Sequence, residues 1–127
     1  MTKPKVIRCS EVFLRHELLA TTSRKAWARV CRKSLADAGT EHAPPDGTDG
    51  HTIHADWATG GRVVMVWIAP DLTTDIRAGV IAHEAAHAAR FILDAIGETT
   101  RTDEIEPYLI GDITTAIWRM IHQEGNR

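Results

Sequence analysis

The sequence predicts an α+β domain in which a small antiparallel sheet carries its helices on one face. Three observations lead there. Two short segments, 51–57 and 62–68, read as strands either side of Gly60-Gly61. Two long segments, about 75–96 and about 103–122, repeat apolar residues at spacings of three and four. The chain has 127 residues, 43% hydrophobic and 25% charged, which is the size and apolar content of one globular domain, 1–127. That composition excludes a disordered tail and a fibrous repeat. No apolar run approaches the ~20 residues that span a bilayer, so a membrane partner is not expected.

The first element is weak. Lys5 to Cys9 alternates and reads as a short strand, and Ser10 is placed to cap a turn of helix through Val12-Phe13-Leu14 and on to Leu18-Leu19. Thr21-Thr22-Ser23 offers three N-caps for a basic helix over about 23–38. Trp27, Val30, Cys31, Leu35 and Ala38 form its apolar face, and Gly39 is a natural stop. Residues 40–50 hold two prolines and two glycines and read as a surface loop. A hairpin over about 51–69 follows: His51 to Trp57 alternates, Ala58 to Gly61 turns, Arg62 to Ile68 is a β-branched run, and Pro70 ends it. Thr74 or Asp75 caps the next helix, about 75–96, which Gly97 stops. Thr102 or Asp103 caps the last, about 103–122, with Ile105, Leu109, Ile113, Ala116, Ile117 and Met120 on its apolar face.

Net charge is −2, but it is unevenly spread: residues 1–38 hold nine Lys/Arg against three Asp/Glu, and residues 39–127 hold six against fourteen. A basic helix at Arg24–Lys33 can contact phosphates. No aromatic interleaving or recognition motif accompanies it, so a solvated face is the favoured reading and nucleic acid the less favoured partner. The two cysteines, Cys9 and Cys31, are too few for a disulfide scaffold and read as reduced thiols. The basic start lacks the apolar stretch of a signal peptide, which predicts a cytoplasmic location.

The chemistry is concentrated in His83-Glu84-Ala85-Ala86-His87, an H-E-x-x-H sequence inside a predicted helix. Residues four apart stand one turn apart on one face, so both imidazoles can reach one ion. Glu84 sits one step round, where it can face a water beside that ion and act as general base. Ile76, Val80, His83, His87 and Phe91 share a stripe, which points the histidines inward, toward other protein. A third ligand must come from further along. A histidine at the spacing H-x-x-G-x-x-H is excluded by Arg90 and Leu93. The acids of Thr102-Asp103-Glu104-Ile105-Glu106-Pro107 remain, near a helix N-terminus that favours an ionised carboxylate. Tyr108 can stabilise an oxyanion, and Asp112 can hold a ligand histidine by its second nitrogen. His51 and His54 lie in the hairpin and read first as surface residues.

The stretch Val80 to Gly97, followed by Asp103-Glu104-Ile105-Glu106-Pro107-Tyr108-Leu109-Ile110-Gly111-Asp112, resembles small H-E-x-x-H proteins of tailed phages and prophages, which look like minimal zinc peptidases of the gluzincin type. The resemblance covers about residues 62–122. It implies a zincin-like fold, a Zn²⁺ cofactor, metallopeptidase activity on a peptide or protein substrate, and the cytoplasm of a host cell as location. It also implies Glu104 as third ligand, being the acid four residues before Tyr108-Leu109. Glu106 stands where the resemblance leads one to expect an apolar residue and is an extra acid; Pro107 is tolerated in a first helical turn. An inactive zincin-like protein that binds a host or phage partner is the alternative. For the peptidase, the strand Val63–Ile68 is expected to offer its edge to an extended peptide.

Overall fold

The computed structural model describes residues 11–13, 15–37, 43–96 and 105–125. Four strands and three helices follow in the order β1 (Glu11–Phe13), β2 (His16–Thr21), α1 (Arg24–Lys33), β3 (Gly50–Asp56), β4 (Arg62–Ile68), α2 (Thr74–Ala95) and α3 (Ile105–Gly125). The α+β class is as expected. The sheet is larger than the hairpin and is mixed: its order is β1-β2-β4-β3, with β2 parallel to β4 and the other two pairings antiparallel.

The helix expected over 12–19 is instead the β1–β2 hairpin. Arg15, at φ 65°, turns the chain between them, a conformation uncommon for a residue with a Cβ. β2 then lies between β1 and β4, with Leu18, Leu19, Ala20 and Thr21 all buried. A strand covered on both faces shows no alternation, so its apolar run resembles a helix fragment.

β4 is likewise interior, with Val63 to Ile68 buried throughout. It therefore has no edge to offer, and the expectation of peptide docking along Val63–Ile68 is corrected: the edge on that side of the sheet is β3. The β3–β4 hairpin itself is as predicted, from Gly50↔Ile68 to Asp56↔Arg62. Gly60 and Gly61, at φ 96° and 94°, supply the left-handed turn that residues with a Cβ adopt at a cost. The Trp57 N–H donates to the Gly61 carbonyl at 2.9 Å and closes the loop.

Alternation along the two central strands divides the core. Leu18, Ala20, Val64, Val66 and Ile68 face α2 and α3, joined by Ile81, Ala85, Ala88, Ala89, Ile92, Ile113 and Ile117. Leu19, Val63, Met65 and Trp67 face the other way and pack with Trp27, Cys31 and Leu35. Helices thus cover both faces of the sheet, not one. The reason is the both-faces-apolar character of β2 and β4, which requires a cover on each side. Each large aliphatic side chain fully buried there contributes ~1.5–3 kcal/mol relative to exposure.

α1 begins where expected. The Ser23 hydroxyl accepts from the Ala26 N–H at 3.1 Å, satisfying one of the open donors of the first turn. It ends earlier than the predicted 38, at Lys33. Leu35 bridges to Trp57, and the Ala36 N–H donates to the Asp56 carbonyl at 2.8 Å, so the chain after Ser34 follows the hairpin rather than the helix. Gly39 lies outside the described residues, as do Lys5–Cys9 and the predicted capping residues Thr102 and Asp103. No helix among the described residues is long and apolar enough to cross a membrane.

Candidate metal centre

The site is built on the third and fourth turns of α2. This helix starts from Thr73, one residue before the expected cap, with Asp75 in its first turn. It packs along β3 and β4, and the side chains it buries are Ile81, Glu84, Ala85, Ala88, Ala89, Ile92 and Leu93. Of the stripe Ile76, Val80, His83, His87 and Phe91, Ile76 is 53% exposed and both histidines are exposed, while Val80 and Phe91 are half-buried against the core. The inward orientation expected for the histidines is corrected. Three of the seven buried positions are alanines, Ala85, Ala88 and Ala89, whose small side chains permit a close approach to the sheet.

The His83 and His87 rings meet edge to face, with their Nε2 atoms 3.1 Å apart. Two nitrogens each about 2.0–2.1 Å from one tetrahedral zinc stand roughly 3.3 Å from each other. The contact is a hydrogen bond between the rings, one nitrogen donating and the other accepting, and its length is close to the spacing a shared ion requires. Among the described residues no third His, Cys, Asp or Glu completes a metal-binding cluster. Glu104 and Asp103 lie outside the described residues. Glu106 is half-buried and 4.0 Å from the Arg90 guanidinium, an ion pair that ties the start of α3 to α2 one turn past His87. Tyr108 is 72% exposed on α3, and Asp112 is exposed.

Glu84 is the buried member of the motif, at 5% exposure. Its carboxylate Oε1 accepts the Thr52 hydroxyl proton at 2.7 Å. Its Oε2 lies so close to Gly50 that a Cβ there would meet it at 2.8 Å. Glu84 thus reaches across from α2 to the edge strand. An open pocket of about 520 Å³ runs beside it, lined by His83, Glu84, Val80, Gly50 and Asp49 among others. A neighbouring pocket of about 540 Å³ shares Thr48 and Asp49 with the first and continues to Trp67 and Arg24. There the Arg24 guanidinium stacks 4.4 Å above the Trp67 ring and donates to the Pro44 carbonyl at 2.8 Å.

The chain matches no known protein family, no curated protein and no solved structure. The site offers two exposed imidazoles in mutual contact and a buried carboxylate on an open pocket, donor types that a borderline cation such as zinc accepts.

His51 and His54 do not line that pocket. The His51 ring lies 5.9 Å from Trp27 on the far face of the sheet. His54 faces α2, between His16 at 5.1 Å and Phe91 at 5.8 Å. Burial, then the charges of His16 and Arg62, hold its pKa below the ordinary 6.5 against the opposing pull of Asp56. Thr52 and Gly50 are the site residues that sequence reasoning missed. Strand alternation does place residues 50, 52 and 54 on one face, but nothing local says that this face meets Glu84.

Proposed function

We propose that this chain is a zinc-dependent peptidase of minimal zincin type. The observation that carries the reading is the pairing of His83 and His87 at 3.1 Å with Glu84 held beside them against a sheet edge. In this reading His83, His87 and Glu104 hold Zn²⁺. When bound, the ion supplies a Lewis acid that polarises a carbonyl and brings the pKa of a water to about 7.

The chain's own residues do the rest. An extended peptide lies along β3, where backbone groups on the open edge can pair with it. Glu84 takes a proton from the water that attacks the scissile carbonyl. A carbon–oxygen bond forms, the carbon–nitrogen bond breaks, and Glu84 returns the proton to the leaving amine. Tyr108 is the proposed donor to the developing oxyanion.

Glu84→Gln tests the reading. It keeps the size and the hydrogen bond to Thr52 but cannot accept the water's proton. A fluorescent peptide library incubated with zinc-loaded protein should be cleaved by the wild type. The variant should hold the same zinc and lose about 10²–10⁴-fold in rate. Equal cleavage by the variant contradicts the general-base role, and cleavage by neither protein contradicts the peptidase.

A further inference from the structure

We propose that Thr52 is a positioning residue, whose hydroxyl fixes the Glu84 carboxylate so that one chosen oxygen receives the water's proton. The proposal rests on the peptidase reading above. It starts from an unusual placement: a glutamate on the buried face of α2, beside Ile81, Ala85 and Ala88. A carboxylate left there without a partner is strongly disfavoured. The partner comes from 32 residues earlier in the chain, where the Thr52 Oγ1 donates to Glu84 Oε1 at 2.7 Å. A hydroxyl has one proton to give. The Glu84 carbonyl at 3.4 Å is the more distant acceptor, so the proton belongs to Oε1.

The second oxygen is placed by the same strand. Gly50 lies on the same face of β3 as Thr52, and the absence of a Cβ leaves the space that Oε2 occupies, 2.8 Å from where that atom would be. Both residues pair with the interior strand β4, Gly50 opposite Ile68 and Thr52 opposite Val66. The carboxylate is therefore referenced to the sheet and not only to its own helix. Accepting the Thr52 proton lowers the basicity of Oε1 and fixes the plane of the carboxylate, so we assign the base to Oε2. It gains the proton as the water O–H bond breaks and gives it up as the carbon–nitrogen bond breaks, while the Thr52 proton stays where it is. Holding a reacting group in one geometry is worth large factors in rate, and small misplacements lose about 100-fold.

The test compares Thr52→Val and Thr52→Ser with wild type, all zinc-loaded, on the same peptide library, and follows the Glu84 side-chain carboxyl carbon by NMR in the metal-free proteins. That resonance is identified by its loss in Glu84→Gln. Thr52→Val should retain zinc and KM within about twofold and lose kcat by tenfold to about 100-fold. Thr52→Ser should recover kcat to within about threefold, because it restores the donor. The carboxyl resonance should move in the valine variant and return in the serine variant. A valine variant with wild-type kcat, where Glu84→Gln is inactive, overturns the role of Thr52 alone. A resonance that Thr52→Val does not move overturns the contact itself, whether or not the protein cleaves peptides. If Glu84→Gln is as active as wild type, the general-base reading falls and this inference falls with it.

Discussion

At the scale of single residues, the buried carboxylate of the site is held from two sides. Glu84 is buried yet borders an open pocket, with one oxygen on Thr52 and the other against Gly50. The His83–His87 pair was legible in the sequence because i,i+4 geometry is local to one helix. Its outward orientation was not, because Ala85, Ala88 and Ala89 on the buried face are weaker apolar markers than Ile76, Val80 and Phe91 on the stripe the histidines share. Thr52 and Gly50 were illegible for another reason: their role depends on a contact 32 residues away in sequence. His54 gives a pH dependence that can be worked out in sign. Its folded pKa is lowered, first by burial and then by His16 and Arg62. The unfolded chain therefore binds the proton more readily than the folded one. The stability this residue contributes is complete above its unfolded pKa of about 6.5 and is lost as pH falls through the folded value. Urea unfolding midpoints measured from pH 7.5 to 5 should fall more steeply for wild type than for His54→Gln. Parallel curves would refute the burial argument.

At the scale of elements, alternation decided what could be read. The β3–β4 hairpin and the three helices α1, α2 and α3 announce themselves through turn glycines and apolar spacing. β2 does not, since four consecutive buried residues from Leu18 to Thr21 carry no period. The same strand explains why the sheet has two covered faces. Leu18 packs toward α2 and α3, and its neighbour Leu19 packs toward Trp27 of α1. Leu18→Ala and Trp27→Ala accordingly remove core volume on opposite faces. Each should cost about 2–5 kcal/mol, measured as a shift in the denaturant midpoint with an unchanged slope. If Trp27→Ala costs less than about 1 kcal/mol, α1 is not the cover of the second face.

At the scale of the whole molecule, the layers separate two chemistries. The basic helix α1, with Lys25, Arg32 and Lys33 exposed, covers one face of the sheet, and α2 with its histidines covers the other. The basic residues of α1 thus lie on one face, and the proposed catalytic residues of α2 on the other. That two-sided arrangement was not legible, because it follows from the parallel pairing of β2 with β4, which no local pattern records. What the small sheet does is set α2 against β3, its last strand among the described residues, with Glu84 turned toward Thr52 and Gly50 and the two imidazoles outward. The central claim is that those imidazoles share a metal ion. Elemental analysis of the purified protein beside His83→Ala tests it most directly. One equivalent of zinc in the wild type and none in the variant is the predicted result; the same zinc content in both would contradict it.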